Sequence, residues 1–197
     1  MRRQFFIIIS GGQGCGKTTF AFKIINKFRE SNKPVLCILP DDEEKLFWDI
    51  DEIVYDSNSP LQTAKDLINF KTGIKKIYCD NVKLFDLIRN YFKNGLIVID
   101  DARVYLTSRD EPFRAMIMRR RQKNCDVLFI CHGLSEIPPS CNSFITDLVL
   151  FETTDDFKKW NIANKERYKP IVERINNIAQ TKNKYHSERI KLRDLTI

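Results

Sequence analysis

Phe5-Phe6-Ile7-Ile8-Ile9-Ser10 runs straight into Gly11-Gly12-Gln13-Gly14-Cys15-Gly16-Lys17-Thr18-Thr19, and the reading of that junction decides the fold. The first stretch is apolar up to its last residue, as a strand covered on both faces should be. Residues 11–18 fit G-x-x-x-x-G-K-[ST], in which glycines let successive backbone N–H groups converge on an anion. From Lys17 the periodicity becomes helical and continues to Glu30, so the turn leads into a helix whose positive dipole end also favours an anion. Strand, glycine-rich turn and helix in this order make Gly11, Gly12, Gln13, Gly14, Cys15, Gly16, Lys17, Thr18 and Thr19 the candidate cradle for the phosphates of a nucleotide. Lys17 would reach the β- and γ-phosphates, and the Thr18 hydroxyl would ligate Mg²⁺.

Working outward, strand-like runs recur at 35–39, 74–79, 96–99, 127–131 and 148–151, most of them uniformly apolar. Helical patterns fill the gaps at 17–30, 61–70, 82–93, 111–123 and 170–182. Alternating strands and helices predict an α/β domain of doubly wound type, a mostly parallel sheet between helices. Asn94-Gly95 marks a helix stop, and Ile137-Pro138-Pro139-Ser140 suits neither a helix interior nor a central strand. Residues 41–56 hold eight acidic side chains and one lysine, a solvated loop to which no chemistry is assigned.

Open parallel sheets collect ligand chemistry at the carboxyl ends of their strands. Leu96-Ile97-Val98-Ile99 ends in Asp100-Asp101, two carboxylates with different expected tasks. Asp100 would associate with Mg²⁺, directly or through water, and Asp101 would orient the water attacking the γ-phosphate; the plainer role for Asp101 is a helix cap. Val127–Cys131 ends in His132, which would face the γ-phosphate as a sensor or simply terminate the strand. Arg119-Arg120-Arg121 close the preceding helix pattern. Consecutive helical residues point in different directions, so the three cannot share one task. One of the three is the candidate arginine finger for a neighbouring subunit; the others would contact phosphodiesters or complement the helix C-terminus, with solvated charge as the alternative.

Composition bounds the remainder. The 197 residues carry a net charge of +7, yet the excess sits at one end: residues 158–197 hold 11 of the 33 basic side chains and 4 of the 26 acidic ones. Such asymmetry suggests a polyanionic partner, with a solvated helical face as the bland reading. The expected division is therefore a P-loop ATPase core over 1–157 and a short, basic, partly helical C-terminal extension over 158–197, packed on or beside the core. No apolar run approaches the ~20 residues that span a bilayer. The basic start Met1-Arg2-Arg3-Gln4 precedes an apolar stretch that feeds the phosphate loop instead of a cleavage site, so a cytoplasmic location is expected. Six dispersed cysteines without a C-x-x-C read as buried reduced thiols.

Three segments, G-G-Q-G-C-G-K-T at 11–18, N-G-L-I-V-I-D-D-A-R at 94–103 and R-Q-K-N-C-D-V-L-F-I-C-H-G-L-S-E-I-P at 121–138, resemble the FtsK/HerA superfamily of DNA-pumping ATPases. The likeness is strongest to compact phage genome-packaging ATPases and to zonular occludens toxin-like ATPase domains, and it covers residues 5 to about 155. It implies a RecA-like core, ATP and Mg²⁺ as ligands, a homo-oligomeric ring, usually hexameric, and non-specific contact with the DNA backbone. By the same resemblance, Arg121 is the arginine that would serve as the finger. A packaging role would add a capsid or portal-vertex protein as a docking partner. Asp101 stands where many relatives have glutamate, and His132 where they have glutamine. Three rivals remain at this point: an extrusion ATPase of zonular occludens type, a P-loop small-molecule kinase with Arg119–Arg121 as a phosphate lid, and a module that binds ATP without hydrolysing it.

Overall fold

The computed structural model describes residues 4–41, 45–78, 81–101, 111–153, 169–181, 183 and 185–192. In chain order they form β1 (Phe6–Ser10), α1 (Lys17–Glu30), β2 (Val35–Leu39), α2 (Pro60–Asn69), β3 (Ile74–Tyr78), α3 (Leu84–Tyr91), β4 (Leu96–Ile99), α4 (Glu111–Arg119), β5 (Asp126–Cys131), β6 (Asp147–Phe151), α5 (Lys169–Gln180) and β7 (Ser187–Lys191). The strands make one sheet in the order β3-β2-β4-β5-β1-β6-β7. All neighbours are parallel except β6 and β7, which run antiparallel. This is the α/β, mostly parallel architecture that the alternation of patterns implies.

The uniform apolarity of most inner strands follows from burial on both faces. In β1, Ile7 and Ile9 point to the face covered by α1, where Ala21, Ile25 and Phe28 meet them, while Phe6 and Ile8 point the other way. That second face is packed by α2, α3, α4 and α5 through residues such as Leu67, Phe85, Phe113 and Ile178. Phe113 packs on Phe85 and on Phe129 of β5, and Phe129 meets Phe6 edge-on, with ring centroids 5.3, 5.8 and 6.4 Å apart. Aromatic pairs in this range add about 0.5–1.5 kcal/mol each to the area they bury, so this stack ties α3 and α4 to the middle of the sheet.

The sequence pattern does not anticipate β7. Ser187-Glu188-Arg189-Ile190-Lys191 contains one apolar residue, and by itself it reads as solvated charge. It becomes a strand because β6 offers an edge: Ile190 pairs with Leu148 and is 8% exposed, and Arg189 donates from Nε and from its guanidinium end to Asp147 Oδ1 at 3.1 and 2.9 Å. Arg174 of α5 adds an ion pair to Glu188 at 2.6 Å. α5 lies where its periodicity places it, with Ile171 and Ile178 both 1% exposed in the core. The boundary at residues 157 and 158 falls outside the described residues, as does Cys79. The other five cysteines are free and buried.

Candidate functional site

The strand order brings the candidate residues together. β5 lies between β1 and β4, so the ends of the phosphate-loop strand, the His132 strand and the Asp100 strand are consecutive along one edge. Gly11 donates its N–H to Cys131 O at 3.3 Å and Gly12 donates to Glu152 O at 2.7 Å, which seats the loop across the ends of β5 and β6. Gly14 and Gly16 have φ of +70° and +92°, values that L side chains rarely adopt, and Gly16 is the N-cap of α1. The Lys17 ammonium donates to Gly11 O and Gly12 O at 2.8 Å each and is 8% exposed. Two of its three N–H bonds are thus held by the loop, and its charge stays at the centre of the cradle.

A cleft of about 320 Å³ opens beside the loop, lined by Gln13, Gly14, Lys17, Thr18, Leu39, Pro40, Asp41, Asp100, Asp101 and His132. Asp100 is anchored through its backbone N–H to Ile38 O, and its Oδ1 accepts the Asp101 N–H at 3.0 Å. Asp101 has φ of +40°, a left-handed conformation that costs a non-glycine residue about 1–3 kcal/mol and collects at functional sites. The backbone of His132 is pinned on both sides: its N–H donates to Glu136 Oε2 at 3.0 Å, and its carbonyl accepts the Thr153 hydroxyl at 3.2 Å. Burial, aided by the nearby Asp100 charge, pushes the Cys37 thiol far up from its usual range, so beneath the cleft it is a neutral packing group.

Seven of the residues singled out from the sequence therefore share this cleft: Gln13, Gly14, Lys17 and Thr18 from the loop side, Asp100 with Asp101 after β4, and His132 after β5. Gly11 and Gly12 supply the loop's anchoring bonds, while Cys15, Gly16 and Thr19 lie along a second cleft on the loop's outer side. Asp41 was missed. It stands two residues past an apolar strand (Val35–Leu39), with Pro40 between, and the acidic run after it disguised the position. Glu136 and Thr153 were missed as well, because residues that hold a backbone leave no motif.

Arg121 is elsewhere. It is exposed and lines a hollow with Met118, Arg120, Phe144, Ile145 and Thr146, at the start of β5 and β6 and so at the amino edge of the sheet. The length of a strand, roughly 17–20 Å, separates the two edges, so Arg119–Arg121 cannot form a lid over the cleft of their own chain. The run also divides: Arg119 closes α4, and Arg120 and Arg121 lie in the turn that follows. Arg120 is 3% exposed, donates to Ile117 O and Phe144 O at 2.9 and 3.0 Å and lies 6.0 Å from the Phe6 ring, whereas Arg119 and Arg121 face solvent. Arg120 is a structural residue.

A hydroxyl and a carboxylate on the two walls of the cleft form the hard oxygen donor set that suits Mg²⁺, which takes few protein ligands and keeps the rest of its shell for phosphate and water. Thr18 and Asp100 fit that requirement. Among the described residues, no helix is long and apolar enough to cross a membrane.

Solved structures with this fold include the genome packaging NTPase B204 from Sulfolobus turreted icosahedral virus 2. Its complex with sulfate superposes with a TM-score of 0.71 at 13% identity, covering 100% of this chain and 95% of that one. Its complex with ATP-gammaS gives 0.70 at 14% identity, covering 100% and 96%. VirB4 of Thermoanaerobacter pseudethanolicus gives 0.53 at 9% identity, covering 87% and 81%. The N-terminal domain of zonular occludens toxin from Neisseria meningitidis gives 0.50 at 10% identity, covering 78% and 79%. At these identities the likeness is one of fold, and no curated protein sequence matches the chain. Fold and phosphate loop together define a P-loop NTPase fold, the architecture that B204 shares. Within that class the chain belongs to the poxvirus A32 protein family, whose model matches residues 1–197.

Proposed function

We propose that the chain hydrolyses ATP with Mg²⁺ and couples the hydrolysis to movement of DNA, in the packaging of a viral genome. The observation that carries this reading is the convergence of Lys17, Thr18, Asp100, Asp101 and His132 on one cleft in a member of the poxvirus A32 family. The description of B204 as a genome packaging NTPase and the basic excess toward the C-terminus support it. The working form would be a homo-oligomeric ring, of six subunits if it follows the resemblance, in the cytoplasm of an infected cell and docked on a capsid or portal-vertex protein.

Catalysis of phosphoryl transfer is chiefly positioning and charge stabilisation. Lys17, held by two loop carbonyls, places a fixed positive charge at the β- and γ-phosphates. Thr18 and Asp100 would hold Mg²⁺, whose contribution when bound is to neutralise charge on the phosphate oxygens. Asp101 accepts a hydrogen bond from the attacking water, and its left-handed backbone, tied through its N–H to Asp100, sets the carboxylate before the water arrives. His132 hydrogen-bonds the γ-phosphate. Its backbone bonds to Glu136 and Thr153 give any shift of the ring a mechanical route to the turn at 134–136 and to the end of β6. Arg121, which cannot reach its own cleft, would complete the site of a neighbouring subunit.

Phosphate release measured with and without DNA tests the proposal. Hydrolysis that rises when duplex DNA is added is expected. Hydrolysis unaffected by DNA would remove the translocation reading, and turnover that appears only with a small acceptor would make the protein a kinase.

A further inference from the structure

The phosphate loop has a second cleft on its outer side, of about 260 Å³, which shares Gly14, Lys17 and Thr18 with the catalytic cleft. The two differ in chemistry. The first contains Asp41, Asp100, Asp101 and His132, whereas the described lining of the second has no carboxylate or imidazole and adds two apolar walls, Leu46 and Tyr185. Both walls show much surface to solvent, Tyr185 at 62% and Leu46 at 48%.

Tyr185 is placed over the loop by the tertiary structure. It belongs to the turn between α5 and β7, in which its N–H donates to Asn183 Oδ1 at 3.1 Å and the His186 N–H donates to Asn183 O at 2.9 Å. The antiparallel pairing of β7 with β6 carries this turn back to the loop. Its ring edge comes within 3.4 Å of the point where a Cβ on Gly16 would stand, so the ring lies directly against the loop and the first turn of α1.

A nucleotide whose γ-phosphate faces Asp101 and His132 must let its nucleoside leave the loop on the other side. From this geometry we propose that Tyr185 and Leu46 form the seat of the nucleotide base, with the Tyr185 ring stacking on it. The inference rests on the ATPase reading and deepens it: the segment after α5 is then part of the substrate site. Recognition by stacking does not depend on the exocyclic groups, because every base presents a π-face. Among the described residues, the cleft wall carries no side-chain amide or carboxylate to read those groups.

The test measures binding of Mg-ATP, Mg-GTP and inorganic tripolyphosphate to the full chain and its Tyr185→Ala, Tyr185→Phe and Leu46→Ala variants. Tripolyphosphate reports the phosphate cradle without a base. Tyr185→Ala should weaken ATP and GTP alike by roughly tenfold, the usual worth of an aromatic–base stack, and leave tripolyphosphate unchanged. Tyr185→Phe should restore nucleotide affinity, and Leu46→Ala should cause a smaller loss of the same kind. Equal weakening of tripolyphosphate would show that Tyr185 merely shapes the loop, and unchanged ATP affinity in Tyr185→Ala would show that the base sits elsewhere; either result overturns the proposal. A wild-type chain that binds neither ATP nor tripolyphosphate would overturn the ATPase reading itself, and this inference with it.

Discussion

The two edges of the sheet use polar residues in opposite ways. At the carboxyl edge, residues that follow β1, β2, β4 and β5 and are far apart in sequence line one cleft; the Lys17 ammonium is held by two carbonyls of its loop, the Asp100 N–H by Ile38 of β2, and the His132 backbone by Glu136 and Thr153. At the amino edge the charged groups are local and separate: Arg120 is sealed between Phe6 and two carbonyls, Arg189 is paired with Asp147, and Arg121 is exposed. Parallel strands explain the contrast. They deliver all their following loops to one edge, so polar strand ends gather there, whereas the charges at the opposite edge are held locally or stand in solvent.

The strongest way to break this contrast is to disarm the carboxyl edge. Lys17→Ala should lose phosphate binding and turnover together, whereas Asp101→Asn should bind ATP normally and hydrolyse it at least 100-fold more slowly, the lower range for a residue that handles the attacking group. Comparing nucleotide affinity with phosphate release separates them. Wild-type turnover in Asp101→Asn would give the catalytic task to another carboxylate of the cleft, Asp41 or Asp100.

Next in size is the division of the arginines. Arg120→Ala removes a buried, doubly hydrogen-bonded cation and should cost roughly 3 kcal/mol, lowering Tm by roughly 10 °C for a chain of this length. Arg121→Ala should leave Tm unchanged and impair hydrolysis only in assemblies. Mixing provides the measurement: subunits lacking Lys17 but retaining Arg121 should restore hydrolysis at sites formed by Arg121→Ala subunits. Mixed rings that show no restoration would take the finger role from Arg121, and Arg103 and Arg109, which lie outside the described residues, would come forward.

Smaller effects belong to the C-terminal segment, where structural charge must be told apart from charge available to DNA. Arg189→Gln breaks the pair with Asp147, which is more than half exposed on the arginine side, and should cost only about 0.5–1 kcal/mol by chemical denaturation. It should not change the salt dependence of DNA binding. Replacing Lys191, which is exposed, together with Lys182, Lys184 and Arg193, should leave stability and basal hydrolysis intact and flatten that dependence by about 0.9 log units per lost contact to a duplex phosphate. An unchanged slope would assign these charges to solvent or to a protein partner.

What could be read from the chain alone tracks how local its cause is. Five of the six strands expected were legible because burial on both faces writes a continuous apolar run, and the phosphate loop was legible because its backbone geometry demands glycine at fixed spacing. Asp100, Asp101 and His132 were legible because each ends such a run. Asp41 comes one residue later, after Pro40, and opens an acidic stretch, so its signal was lost among its acidic neighbours. β7 could not be read, since four of its five residues are polar and its apolar partner is on another strand.

The sequence by itself therefore determined the class of sheet, the position of the phosphate loop along the chain and the candidates for chemistry, all properties carried by contiguous residues. Tertiary structure decided the rest. The strand order, with β5 inserted between β1 and β4, brings His132 and Asp100 to the same loop. The opposite edges of the sheet keep Arg121 from its own cleft. The pairing of β7 with β6 sets Tyr185 against Gly16. The physical reason is that backbone propensity and local burial act over a few residues, whereas the choice of neighbouring strand depends on how distant segments cover each other's apolar faces and hydrogen-bonding edges.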